Sequence, residues 1–319
     1  MVTLKDVAKK AGVSVAGASR ALHNNGYISK EAKERVRKAA ESLGYIVNYN
    51  AVYLKDKKSK NVGVVITDIE NPYFVNVVSD LKNKLKEYGY GLILAVSNNN
   101  KADESKQIKY LVGNKVSTLL FIPTNSNNHH LLEIVKNNGV NPIQLFVNVY
   151  DDVNSVVNND ELGAYLGGKQ AVLEGYKRIA LIDVKYDKTA FNLEVEPKRE
   201  NGFTRLIEEY PNVKFRIIKS IVGDNFTKEV TDALDDFSPD AIVAGTGVFG
   251  LNVLKYLKMN SLKTKLITFD DNNWFAFYGV TSIRQDEASL INEIVRLILK
   301  NDMDNVEHVK IDESLVVRN

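Results

Sequence analysis

The chain has 319 residues, 44% hydrophobic and 26% charged, an ordinary globular composition that points away from a disordered chain and from a small disulfide scaffold. It contains no cysteine, so disulfides, thiolate metal sites and cysteine nucleophiles are excluded together, in keeping with a reducing compartment. The formal charge of +2 is unevenly spread: residues 1–60 hold 13 Lys and Arg against 5 Asp and Glu, a net of +8 that leaves −6 on the rest.

In chain order, the first elements are three short helices. Thr3 with Asp6 three residues later is a capping-box start, Leu4, Val7, Ala8 and Ala11 share a face, and Gly12 ends the helix. Ser14 caps a second helix through Leu22 after only Gly12 and Val13, a spacing that predicts a helix-turn-helix. Asn24, Asn25 and Gly26 read as a loop, and Ser29 caps a third helix to about Ser42 with Lys30, Lys33, Arg35, Arg37 and Lys38 outward. A three-helix bundle with a solvated basic face would show the same pattern. The coincidence of helix-turn-helix spacing with +8 on an otherwise acidic chain favours double-stranded DNA as a partner. Lysines and arginines then neutralise phosphates without reading sequence. Val15 and Ala16 suit contact with thymine methyls in the major groove, and Arg20 can reach a guanine edge or a phosphate.

TLKDVAKKAGVS, Ser19–Arg20, the GYIS segment from Gly26 and the LGY ending at Tyr45 resemble the DNA-binding head of the LacI/GalR family of bacterial transcription regulators. The resemblance implies DNA contacts from Thr3, Leu4, Ser14, Val15, Ala16, Ser19, Arg20, His23, Tyr27, Ser29 and Tyr45. It continues into Asn48, Ala51 and Leu54, which match the family's hinge helix, where a leucine wedges into the minor groove; an apolar wedge unstacks a base step and bends DNA. Val47 stands where members usually have Pro, and Val52 where Arg is common. Lys55, Lys57, Lys58 and Lys60 read equally as phosphate contacts or as solvated linker.

From Val62 the pattern changes to alternating strands and helices: VGVVIT, Phe74–Tyr88, GLILAVS, Asp103–Val112, TLLFIP, Leu131–Asn138 and PIQLFV. A second series begins at about 156 with VVNND, then Leu162–Leu173, RIALIDV, Lys198–Glu209, VKFRIIKS, Thr227–Phe237, AIVA, Val248–Lys258 and KLITFDD. GVTSIRQD, a helix over Glu287–Leu299 and a strand within 308–318 complete the chain. The repetition predicts two parallel-sheet subdomains with a cleft between them. The expected architecture is an all-α helix-turn-helix head (1–46), a hinge helix and linker (47–60) and an α/β body (61–319) that resembles periplasmic sugar-binding proteins. By the family's pattern the chain crosses between halves, with one subdomain at about 61–155 and 286–304 and the other at about 156–285 and 305–319.

Two motifs suggest nucleotide chemistry. GAYLGGKQ, Gly163 to Gln170, has the glycine and lysine spacing of a phosphate loop but Gln170 where Ser or Thr would hold magnesium, and Leu162, Leu166, Ala171 and Leu173 place it inside a helix. GTGVFG, Gly245 to Gly250, lies between a strand and a helix, and the next strand ends at Asp270, so a dinucleotide sensor is an alternative. Against it, alignment with the family puts Gly245–Thr246 at the effector cleft.

The resemblance assigns an effector cleft to Tyr73 and Phe74 of the NPYF segment, Asn148, Arg199, Thr246, Asp270 of the FDD triplet and Gln285. Arg199 and Asp270 can grip vicinal hydroxyls while Tyr73, Phe74 or Phe226 covers a sugar ring. Each has a structural alternative: Phe74 as core, Arg199 paired with Glu196 or Glu200, and Trp274, Phe275, Phe277 and Tyr278 at a subunit interface. No GxSxG or HExxH motif occurs, the four histidines form no metal pattern, and no cofactor is expected. The apolar runs fall short of the ~18 residues of a membrane span and MVTLKDVAKKAG lacks a secretory core. The expectation is a cytoplasmic, homodimeric repressor that binds a palindromic operator under control of a small carbohydrate effector. A solute-binding protein or a sugar-processing enzyme is the rival that the body alone would permit.

Overall fold

A computed structural model describes residues 2–23, 27–46, 59–185, 198–222 and 226–318. It divides into two compact units, Met1–Ser59 and Lys60–Asn319. The first contains α1 (Leu4–Ala11), α2 (Val15–His23) and α3 (Lys30–Leu43). Thr3 and Asp6 close a reciprocal capping box, Gly12 ends α1 at φ 67°, and the Ser29 hydroxyl accepts the Ala32 amide. The shared core is made of small residues, Val7, Ala8, Ala11, Ala18, Ala21, Val36, Ala39 and Ala40, which lets three short helices approach closely. The Asn24–Gly26 loop and the hinge positions Val47, Asn48, Ala51, Val52 and Leu54, with Lys55, Lys57 and Lys58, lie outside the described residues.

The second unit runs β1 (Asn61–Ile66), α4 (Pro72–Glu87), β2 (Gly91–Val96), α5 (Lys101–Gly113), β3 (Thr118–Phe121), α6 (His129–Asn137), β4 (Asn141–Leu145), β5 (Asn154–Asn158), α7 (Asp160–Leu173), β6 (Arg178–Val184), α8 (Lys198–Glu209), β7 (Lys214–Ser220), α9 (Lys228–Phe237), β8 (Ala241–Ala244), α10 (Gly247–Met259), β9 (Lys265–Thr268), α11 (Asn273–Phe277), β10 (Thr281–Arg284), α12 (Glu287–Lys300), β11 (His308–Ile311) and β12 (Ser314–Val316). The strands form two six-stranded sheets, β2-β1-β3-β4-β5-β11 and β7-β6-β8-β9-β10-β12. Every neighbouring pair is parallel except β10 with β12. Apolar clusters cover both faces of each sheet, as all-parallel strands require. Among the described residues no helix is long and apolar enough to cross a membrane.

The two sheets repeat one strand order, so each has a switch point where its first strand meets its third, between β1 and β3 and between β6 and β8. Ligands of such sheets bind beyond the carboxyl ends of the strands at that point. The chain passes between sheets three times, after β5, after β10 and between β11 and β12. Two expected boundaries move as a result. Residues 156–158 belong to the first sheet, because β5 pairs with β4 and Val156 is buried in the first core. The segment 305–319 is divided: His308–Ile311 pairs with β5, and only Ser314–Val316 joins the second sheet, so the single strand expected in 308–318 is two strands.

Close approach of α7 to the second sheet and to α8 explains the glycines of GAYLGGKQ. They lie within α7, where a Cβ on Gly168 would meet Leu206 at 2.3 Å and one on Gly167 would meet Ile283 at 2.8 Å. Facing them, a Cβ on Gly202 of α8 would sit 2.0 Å from the backbone oxygen of Glu161. Neither backbone can yield without separating the helices. Gly202→Ala is therefore expected to lower the thermal midpoint of the body by about 3–10 °C, from an overpacking cost of about 1–3 kcal/mol. Gly113→Ala, at a helical site with nothing within 4 Å of the new methyl, is expected to leave the midpoint unchanged or raise it slightly. Equal melting curves for the two variants would refute the close-packing assignment.

Candidate functional site

In the helix-turn-helix unit, Ser14 caps α2 by accepting the Gly17 amide at 3.0 Å, which fixes the first turn that carries Val15 and Ala16. Both are exposed, Val15 at 43%. Arg20 is exposed on the same helix, its Nε donating to the Ala16 carbonyl at 3.3 Å, and Thr3, Tyr27 and Ser29 are exposed as well. Leu4 and Tyr45 instead pack against the core, and Ser19 is half-buried. His23 turns back on its own helix, with Nδ1–H donating to the Ser19 carbonyl at 2.6 Å. The basic face of α3 is partly neutralised from within: Arg37 pairs with Glu34 and Glu41, both at 2.8 Å.

In the body, the carboxyl ends of the second sheet gather a buried polar cluster. Arg199, at the start of α8, reaches Asp160 at 3.0 Å and Asp183 at 3.5 Å, and its guanidinium lies 4.8 Å from the Phe269 ring centre. Asp160 opens α7 at the first crossover, and Asp183 sits on β6 at the switch point. Lys219 also reaches Asp183, at 3.6 Å, and pairs with Glu200. Burial pushes the Asp160 carboxyl up, with Arg199 pulling against it and Asp183 adding to the rise. The anticipated pairing of Arg199 with Glu200 is replaced by Asp160 and Asp183; Glu196 lies outside the described residues.

Asp270 adopts a left-handed backbone, φ 64°, just beyond β9. One carboxylate oxygen accepts the Gly247 amide at 2.7 Å and the other accepts Gln285 Nε2 at 2.8 Å. Burial holds its carboxyl above the ordinary range although the Gly247 amide, Arg199 and Gln285 all pull it down. The expected two-pronged grip of Arg199 and Asp270 on hydroxyls is thus modified: both groups already hold protein partners, which a ligand would have to share or displace. The same geometry weighs against a dinucleotide. The Gly247 amide, which a pyrophosphate would need at the start of α10, is bonded to Asp270, and the flanking glycines serve packing. A Cβ on Gly245 would meet the Ile182 carbonyl at 2.9 Å, and one on Gly250 would meet Thr268 at 2.3 Å.

The other anticipated cleft residues divide. The Tyr73 hydroxyl accepts Asn158 Nδ2 at 2.9 Å, and its pKa is raised mainly by burial, with the nearby acids Asp270, Glu313 and Glu287 adding to it. Thr246 caps α10, its hydroxyl accepting the Phe249 amide at 3.1 Å. Phe74 stacks on Phe146 at 5.1 Å, and Phe226 leans on Phe249 at 6.2 Å, each half-buried. Asn148 lies three residues beyond the end of β4 and accepts Gln144 Nε2 at 3.3 Å. Asp160, Asp183, Asn158, Phe146 and Glu313 carry no motif and are brought to the site only by the crossovers and strand ends. In α11, Phe275 is core, whereas Trp274 and Phe277 are 67% and 80% exposed and Tyr278 is also exposed. Among the described residues no group of His, Asp or Glu is placed to hold a metal ion.

With this geometry in hand, residues 3–48 match the family described as bacterial regulatory proteins, lacI family. Residues 59–292 match the periplasmic binding proteins and sugar binding domain of LacI family. The ribose operon repressor of Lactococcus lactis subsp. lactis (strain IL1403) is 26% identical over 98% of this chain and 95% of its own length. The sucrose operon repressor of Lactococcus lactis subsp. lactis is 27% identical over 96% of each. Among solved structures, the Lac repressor bound to ONPG in the repressed state superposes with a TM-score of 0.81 at 21% identity, covering 99% of this chain and 98% of that one.

Glu313 gives the cluster a measurable signature. It is 4% exposed, and burial together with Asp160 and Asp270 pushes its carboxyl well above the ordinary value of 4.5, against the pull of Arg199. The folded state therefore holds this proton more tightly than the unfolded chain does. Ionising it costs stability as pH rises above about 4.5. Glu313→Gln is expected to raise the thermal midpoint of the body at pH 8, with the gain shrinking as pH falls towards 5. A midpoint difference that stayed flat across that range would show that Glu313 is not held protonated by the fold.

Proposed function

The chain belongs to the lacI family of bacterial regulatory proteins, and from that premise we propose a cytoplasmic, homodimeric transcription repressor whose affinity for a palindromic operator is set by a small carbohydrate effector. The observation that carries the reading is the succession of two family matches along one chain, residues 3–48 and then 59–292. In the head, the exposed first turn of α2 supports Val15 and Ala16 as base-reading residues, and Arg20 as a contact to a guanine or a phosphate. A single helix-turn-helix reads few base pairs, so two copies paired through their bodies are needed for useful specificity. The exposed Trp274, Phe277 and Tyr278 of the α11 region are proposed as part of that pairing surface.

Effector binding belongs at the carboxyl ends of the strands, where Arg199, Asp270, Gln285, Tyr73 and Thr246 converge. The relatives named for ribose and sucrose operons support a carbohydrate. Because the lobes are joined by three crossovers, a ligand that bridges them can change their relative orientation and through it the separation of the two heads in a dimer. A coupling of about 1–3 kcal/mol would change operator affinity about 5–150-fold. No residue is assigned a catalytic role.

The test is selection of binding sites from a randomised DNA library by the full-length protein, followed by measurement of affinity. A palindromic site is expected. Val15→Tyr should change the selected half-site, and Arg20→Ala should weaken binding about 5–150-fold. Affinity should fall steeply as salt rises. Failure to enrich any palindrome at low salt would overturn the repressor reading.

A further inference from the structure

Two loops of the first lobe stand at the carboxyl ends of adjacent strands, residues 122–128 after β3 and residues 146–153 after β4. Loops are ordinarily the least stable parts of a domain. Here each is held by one buried polar side chain. Glu104 of α5 accepts the Thr124 amide at 2.5 Å, Asn125 Nδ2 at 3.1 Å and Asn128 Nδ2 at 2.8 Å. Gln144 of β4 uses both ends of its carboxamide. Its Oε1 accepts the Val149 and Tyr150 amides at 2.8 and 2.9 Å, and its Nε2 donates to the Tyr150 and Val153 carbonyls at 2.8 and 3.1 Å. Two amides at one end and two carbonyls at the other fix the orientation of the group.

Tyr150 joins the two loops. Gln144 grips its backbone in the second loop, while its hydroxyl donates to the Asn125 carbonyl at 2.6 Å and accepts the Asn128 amide at 3.2 Å in the first. The ring is buried, and His129 meets it edge-on at 5.0 Å. A continuous run of hydrogen bonds thus leads from Glu104 through Asn125, Tyr150 and Gln144 to Asn148, whose Oδ1 accepts Gln144 Nε2 at 3.3 Å. The same loop begins with Phe146, at φ 66° and flanked by the rings of Tyr73 and Phe74 at 5.3 and 5.1 Å. A non-glycine residue keeps such a backbone only where its surroundings over-determine it. A buried strand position in a parallel sheet ordinarily holds an apolar side chain, so a carboxamide at 144 is placed for what it bonds. Satisfied buried networks of this kind specify one arrangement of the groups they join.

We propose that Gln144 and Tyr150 are positioning residues of the effector cleft: they join the two loops into one wall, formed before any ligand arrives, that holds Phe146 and Asn148 in place. The proposal rests on the reading that the effector binds at the carboxyl ends of the strands. A wall ordered in advance removes the cost of ordering two loops on binding.

The experiment is hydrogen exchange of the full-length chain without ligand, followed by mass spectrometry of peptides over residues 122–128 and 146–153. In the parent, both loops are expected to exchange at least about 100-fold more slowly than unstructured peptides of the same sequence. Tyr150→Phe removes one hydroxyl and keeps the ring. It should speed exchange in 122–128 about 10-fold and leave 146–153, still held by Gln144, within about twofold of the parent. Gln144→Leu should speed both loops while β6 and β8 of the second lobe keep their parental rates. In the double variant, Gln144→Leu should add nothing further in 122–128, because the link through which it acts is already broken. Three results overturn the proposal: either loop exchanging like an unstructured peptide in the parent, no change in 122–128 on Tyr150→Phe, or Gln144→Leu loosening 146–153 alone. Should Gln144→Leu fail to fold, the parent and Tyr150→Phe decide the matter. The measurement needs neither effector nor operator, so its failure leaves the repressor reading standing, and that reading fails only if the protein selects no operator.

Discussion

The body is organised around one guanidinium placed among more carboxylates than it can neutralise. Arg199 ties the first crossover, through Asp160, to the switch point of the second sheet, through Asp183, and its charge also acts on Asp270 and Glu313. A buried ion pair of this kind contributes little net stability, because desolvation offsets most of the attraction. Losing the central partner is a different matter. Uncompensated buried charge would then remain at the place where the lobes are joined, and removing one partner of such a pair is strongly destabilising.

Packing explains the likeness of the GTGVFG segment to a nucleotide loop on steric grounds alone. A short strand-to-helix turn at a switch point needs small residues on any ligand, because the backbone of β8 runs against Ile182 and Arg199 on one side and α10 runs against Thr268 on the other. In a dinucleotide site the helix amide so exposed is kept for phosphate. Here Asp270 occupies it, and Asp270 is itself held by Gln285 from the second crossover. The acid that would mark a ribose is turned inward and joins β9 to α10. Spacing alone could not distinguish the two uses, since both require glycine for the same steric reason.

The strands and helices were legible because their periodicity is local: β6, α8 and β8 occupy the residues that apolar pattern and capping alone indicate. Sheet membership was less so. His308–Ile311 and Ser314–Val316 form a run with one short interruption, and nothing local says that the first segment pairs with β5 and the second with β10. The cleft followed the same rule. Asp270, in the FDD triplet, and Arg199 are singled out by the family resemblance, whereas Asp160, Asp183 and Glu313 become neighbours only through non-local crossovers. Phe146, in a left-handed conformation between Phe74 and Tyr73, had no signal at all.

The charge division between the units has a physical use beyond solubility. In the head, Glu34 and Glu41 bind Arg37 on the surface of α3, so the cations left for phosphates are concentrated on other residues, among them Arg20 on the reading helix. In the body, the acidic excess is not spread evenly over the surface; part of it is gathered and partly buried at the crossovers, where ordinary screening by salt is weak. Burial holds Asp160, Asp270 and Glu313 above the ordinary carboxyl range there, so the cluster gives up its protons less readily than surface acids do. A ligand that bridges the crossovers would shift the balance between lobe orientations only by the difference in its free energy of interaction with the two states.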